Sequence, residues 1–106
     1  MVPETFKLLL DRIHNDLVWM TDSKGVEYAG SVDQLANFKR QGKALGVSPE
    51  FVLMVYLSKH IDSIRVYCRD KGKMLSEPIE GRIIDAILYL CLLLALVEED
   101  TDPLSY

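Results

Sequence analysis

The stretch EPIEGRIIDAILYLCLLLALV, residues 77–97, decides the fold. From Ile83 onward, apolar side chains occupy every face at 100° per residue. A helix apolar all round is read as buried on all sides. Ser76, Glu77 and Pro78 supply its start: a capping hydroxyl, an acid at the positive helix end, and a proline in the first turn. The helix is expected to run to about Glu99, with Pro103 beyond it. The apolar run is only about 15 residues long, against the roughly 20 of a membrane span, so it reads as a core or subunit-interface helix. In a chain of 106 residues, a helix buried this fully implies a dimer partner on one side.

The same signals repeat upstream. Ser48, Pro49 and Glu50 open a third helix, which runs to about Asp70 and stops at Lys71, Gly72 and Lys73. A second helix opens at Ser31, with Gln34 three residues on as a capping box, and ends at Gly46. Leu35, Phe38 and Leu45 form its apolar side. In the first helix, Phe6, Leu9, Leu10, Ile13, Leu17 and Met20 recur at helical steps. Residues 21–32, with Gly25 and Gly30, read as a loop. No alternating strand pattern competes. The reading is an all-α, four-helix bundle-like single domain over residues 1–99, with an acidic tail over 100–106 and a homo-oligomer through residues 77–97.

Composition agrees with a globular chain: 49% hydrophobic, 26% charged, net charge −4. No overall basic field invites nucleic acid. The middle of the chain is nonetheless basic, with Lys39, Arg40, Lys43, Lys59, Arg65, Arg69, Lys71 and Lys73. Such a region is either solvated surface or a surface that meets phosphates. Cys68 and Cys91 both lie in apolar helical patterns, so free buried thiols in a reducing, cytoplasmic setting are expected. The N-terminus lacks an apolar signal region, because Glu4, Lys7 and Asp11 interrupt it.

Two residues stand out against apolar surroundings. His60 falls inside the third helix's apolar arc, between Tyr56, Ile64 and Tyr67. It is either a core histidine bonded to a neighbour or a ligand or base facing a cleft. Met54, Leu57, Ile61, Ile64 and Cys68 share that arc, opposite a polar stripe of Ser58, Asp62, Arg65 and Arg69. On the fourth helix, Asp85 aligns with Gly81, Arg82 and Tyr89. A carboxylate among apolar groups is paired, protonated or metal-bound. Asp85 therefore either pairs with Arg82 or a cross-helix arginine, or binds Mg²⁺ or a ligand. Glu80 lies about 140° from Asp85 on the wheel and Glu77 about 80°, so one face does not chelate with all three. A metal site needs an acid from elsewhere, such as Asp62, Glu27 or Asp33.

Three pieces of the chain carry a family likeness. One is Lys24-x-x-Glu27-Tyr28 followed by Asp33-x-x-x-Asn37-Phe38. The next is Tyr56-Leu57-Ser58-Lys59-His60 with Ile61-Asp62-Ser63-Ile64. The last is Glu77-Pro78-Ile79-Glu80-Gly81-Arg82-Ile83-Ile84-Asp85-x-x-x-Tyr89. With these, the chain resembles small, often phage-encoded proteins of the nucleotide-modification-associated type, which are similar to MazG-like all-α nucleoside triphosphate pyrophosphohydrolases.

The resemblance implies a nucleotide-binding protein in a host cytoplasm. Its ligand contacts would be Lys24, Tyr28, Asn37, Lys59, His60, Arg82 and Tyr89. As an enzyme it would release pyrophosphate with Mg²⁺ held on Asp85, the catalytic position, and Asp62. Tyr28 or Tyr67 would stack on a base. Arg82 stands where the MazG-type segment has a glutamate three residues before the aspartate, and the preceding Glu-x-x-Glu is missing. Lys59 and Arg82 suit direct phosphate contact. The alternatives are a non-catalytic binder, such as a phage sponge for a signalling nucleotide, and a helical interaction module.

Overall fold

A computed structural model describes residues 1–29, 35–71 and 78–101, with side chains for residues 1–22, 35–71 and 78–100. It contains four helices: α1 (Pro3–Ala29), α2 (Ala36–Leu45), α3 (Pro49–Asp70) and α4 (Ile79–Thr101). No strand occurs among the described residues, as the sequence pattern requires. None of these helices is long and apolar enough to cross a membrane. The chain divides into two compact units, Met1–Gln34 and Leu35–Tyr106.

The first unit holds α1, which starts with Pro3 and has Glu4 in its first turn. The helix continues through residues 21–29, where the sequence reads as a loop. An interior glycine such as Gly25 costs only about 1 kcal/mol against alanine, too little to end a helix by itself. Thr21 is accommodated within the helix, its hydroxyl donating to the Leu17 carbonyl at 2.9 Å. The side chains of Lys24, Glu27 and Tyr28, and all of Gly30 and Asp33, lie outside the described residues.

The second unit holds α2, α3 and α4. Helix α2 begins at Ala36, with Leu35 as its first, uncapped flank. Ser31 and Gln34, read as a capping box, lie outside the described residues. Gly46 ends α2 with φ 73°, a left-handed conformation that costs glycine nothing. The Val47 N–H closes the turn on the Gly42 carbonyl at 3.0 Å. Ser48 then caps α3, its Oγ accepting from the Phe51 N–H at 3.1 Å.

Five side chains make the core of this unit: Leu35 and Phe38 from α2, Val52 and Leu53 from α3, and Leu96 from α4. Tyr56, Tyr89, Leu92, Leu93 and Ala95 pack around them. Leu45, expected on the apolar side of α2, is exposed, since it sits on the last turn before the corner. The buried arc of α3 is turned by about a quarter of a turn from the expected one. Leu53 and Leu57 are buried and Tyr56 and His60 half-buried, while Met54 and Cys68 are exposed. Helix α3 has neighbours on two sides, α2 and α4, and the aromatic side chains fill the angle between them.

Helices α3 and α4 run antiparallel. Tyr56 and His60 on α3 both meet the Tyr89 ring, and His60 also meets Asp85, so ascending numbers on one helix face descending numbers on the other. One face of α4 is covered, through Ala86 and Leu96. An adjoining face, with Ile83, Leu90, Leu94 and Val97, is open. The helix read as buried on every side is thus buried on one side in the single chain. Cys91 and Cys68 are free but exposed, not buried. Helix α4 continues two residues past the expected end of the domain, to Thr101.

Candidate functional site

Asn37, Lys59, His60, Asp85 and Tyr89, from three helices of the second unit, lie along one path of contacts. Asn37 and Gln41 lie one helical turn apart on α2, and the Gln41 Nε2 donates to Asn37 Oδ1 at 3.0 Å. Arg40 Nη2 donates to the same oxygen at 2.9 Å. From α3, the Tyr56 hydroxyl donates to Gln41 Oε1 at 2.9 Å. Tyr56 stacks on Tyr89 of α4, with ring centroids 6.3 Å apart and planes 11° apart. Phe38 meets both tyrosines edge-on, at 5.9 Å and 6.3 Å. Edge and offset contacts of this kind each contribute about 0.5–1.5 kcal/mol beyond the area they bury.

His60 stands one turn after Tyr56, its ring 5.3 Å from that of Tyr89. Its Nδ1 lies 3.9 Å from Asp85 Oδ2, too far for a hydrogen bond. The side chains are 14% and 34% exposed, so histidine is the inner and aspartate the outer member of the pair. The buried Nδ1 has no hydrogen bond among the described residues. Arg82 is half-buried one turn before Asp85, with its Nε inside the protein. Gly81 leaves open space, since nothing within 4 Å would meet a Cβ there. Lys59 is exposed and holds its Nζ 5.9 Å from the Tyr56 ring centre.

Asp62, the expected second metal ligand, lies elsewhere. It is two residues from His60 and so on the far side of α3. Its carboxylate is 71% exposed and paired with Arg65 at 3.2 Å. Among the described residues no three His, Cys, Asp or Glu side chains are grouped as a metal site would need. Among the described residues, the donors around Asp85 fall short of a Mg²⁺ shell, which takes six oxygens. Asp33 and Glu77, and the side chain of Glu27, lie outside the described residues, as do the side chains of Lys24 and Tyr28. Glu80 is exposed at the start of α4, and Tyr67 is half-buried on α3.

Gln41 was not singled out from the sequence. The signal was present: it follows Asn37 by four residues, so both project from one side of α2. No protein-family model, curated protein or solved structure matches the chain. What the chemistry of the site defines is a polar and aromatic cluster within an all-α unit, with cations at its edge.

Proposed function

We propose that the protein binds a nucleotide, or another small phosphate-bearing molecule, along the face built on His60, Asp85 and Tyr89. One observation carries this reading. Asn37, His60, Asp85 and Tyr89 come from three separated pieces of sequence, yet they join in one chain of contacts that ends on an unbonded His60 Nδ1. The same pieces carry the resemblance to nucleotide-modification-associated proteins. Lys59 and Arg82 would meet phosphate oxygens, and His60 would offer a ring donor. Asp85 would orient His60.

Binding accounts for the described donor set better than hydrolysis does. By the resemblance Arg82 occupies the position of an acid, and Asp62, two residues from His60, projects from the other side of α3 and pairs with Arg65. The test is incubation with each nucleoside triphosphate and Mg²⁺, with pyrophosphate release and thermal shift read in parallel. A thermal shift without pyrophosphate is the expected result. Turnover would replace the binder by an enzyme, and no shift across nucleotides and cyclic nucleotides would end the reading. A second reading, a helical interaction module, is favoured by the uncovered apolar face of α4.

A further inference from the structure

Arg40 sets the direction of the hydrogen-bond chain that ties α2 to α3. A guanidinium only donates. Its Nη2 lies 2.9 Å from Asn37, so the Asn37 amide presents its oxygen there. The same oxygen meets Gln41 at 3.0 Å, so Gln41 turns its nitrogen to Asn37 and its oxygen to Tyr56. The Tyr56 hydroxyl then donates to Gln41 Oε1, at 2.9 Å. Turning either amide over would set donors against donors or acceptors against acceptors between α2 residues. One surface cation thus orients two amides and a phenol.

The same logic decides which donors remain. Asn37 Oδ1 accepts from two groups, so both its lone pairs are taken. Asn37 Nδ2 keeps its N–H donors and has no partner among the described residues. Arg40 uses Nη2 on Asn37 and keeps the rest of its planar fork. Asn37 is half-buried and Arg40 exposed, so the two donor groups stand side by side at the surface. Lys59 brings a second positive charge to the α3 end of the chain, with its Nζ over the Tyr56 ring. The acidic end of α4 is met on another side of α2. There Glu99 pairs with Lys39, about 200° around the helix from Asn37.

We infer that the Asn37 amide and the Arg40 guanidinium clamp a phosphate oxyanion, with Gln41 and Tyr56 as positioning residues behind Asn37. Donor groups beside a positive charge match phosphate oxygens, which accept. The clamp adds Arg40 to the ligand contacts and gives Asn37 a donor's role. It rests on the nucleotide reading for the rest of the ligand, whose phosphate end it sets toward α2.

Inorganic pyrophosphate is the probe, read on the side-chain N–H signals of Asn37 and Arg40 in the isotope-labelled full chain. It is expected to move both. Asn37→Asp keeps an oxygen that accepts from Arg40 and Gln41, but its outward atom becomes a negative acceptor. An acid is also favourable there, in the first turn of α2. The variant is therefore expected to melt no lower than the parent, yet to bind pyrophosphate at least about tenfold more weakly, the size of one hydrogen bond to a charged group. Should it fail to fold, Arg40→Ala is read in its place, with the same loss expected. Tyr56→Phe keeps the ring but lets the Gln41 amide turn, and is expected to weaken pyrophosphate by a smaller factor. Wild-type affinity in Tyr56→Phe overturns the positioning role. Unmoved Asn37 signals, or wild-type affinity in a folded Asn37→Asp or Arg40→Ala chain, overturn the clamp. Pyrophosphate held by Asn37 and Arg40, with no thermal shift from any nucleotide, keeps the clamp and ends the nucleotide reading. Nucleotide binding that survives Asn37→Asp and is lost in His60→Gln does the reverse.

Discussion

His60 Nδ1 and Asp85 Oδ2 face each other across the α3–α4 contact at 3.9 Å, with the histidine further inside than the aspartate. This gap is wider than a hydrogen bond, and the His60 ring packs beside the ring of Tyr89, which also stacks on Tyr56. If the pair serves a ligand, Asp85→Asn should lower nucleotide affinity while the melting temperature of the free protein changes little. His60→Gln should weaken binding more, since it removes the ring donor. Isothermal titration of both variants against the tightest nucleotide checks this. An unchanged affinity in both would make the pair structural.

Tyr89 touches Phe38, Tyr56 and His60, and so joins the core to the His60–Asp85 pair. Tyr89→Leu should keep most of the buried area but lose the ring contacts, a cost of about 1–3 kcal/mol for two or three aromatic pairs. Leu53, fully buried at 0% exposure, is the harsher site. Leu53→Ala should cost about 2–5 kcal/mol. Urea unfolding followed by near-ultraviolet circular dichroism ranks the two.

Gly42 is buried where α2 approaches the start of α3. A Cβ there would stand 2.7 Å from the Val47 carbonyl oxygen and 3.2 Å from the Pro49 nitrogen. Both are backbone atoms, so no side chain can swing away. Gly42→Ala should destabilise by about 1–3 kcal/mol, more than cancelling the roughly 1 kcal/mol that alanine gains in helix propensity. Gly46→Ala meets no atom, but at φ 73° it should cost about 1–2 kcal/mol through the left-handed backbone. Thermal melts of the two variants check both.

Asp100 has its carboxyl raised above its usual 3.8, first by a hydrogen bond with Glu50 and then by the Glu50 charge, with Lys39 opposing. A carboxyl raised in the folded chain binds its proton more tightly there than in the unfolded chain. Its stabilising effect is present at acid pH and is lost as pH rises through the raised value. Asp100→Asn should therefore raise the melting temperature at neutral pH and leave it nearly unchanged in acid. The neighbouring ion pair of Lys39 and Glu99, 2.8 Å long and about 40% exposed, should contribute at most about 1 kcal/mol, and Lys39→Met measures it.

The helices were legible where the chain announces its ends. Ser48 with Pro49, and Gly46, carry their conformations in their residue types, and the structure uses both as caps. The end of α1 was not legible, because Gly25 is a weak breaker inside a helix that has enough favourable neighbours to continue. Which face of α3 is buried could not be read from that helix alone. Its apolar residues span a broad arc, and the packing of α2 and α4 selects Leu53, Tyr56 and His60 over Met54 and Cys68. For the site, His60 and Asp85 were visible as polar residues in apolar company. Their pairing was not, since it depends on the antiparallel register of two helices. Asp62 was assigned with Asp85 by chemistry, while the angular step from His60 already turned it outward.

The rings of this protein are divided in a way that experiments can use. The single tryptophan, Trp19, belongs to the first unit and is open to solvent, whereas Phe38, Tyr56 and Tyr89 interlock in the second. Indole emission therefore reports on α1 alone, while ring signals near 280 nm mix Trp19 and Tyr28 of the first unit with the tyrosines of the second. Whether the indole transition coincides with the loss of far-ultraviolet helix signal reports whether the two units unfold together.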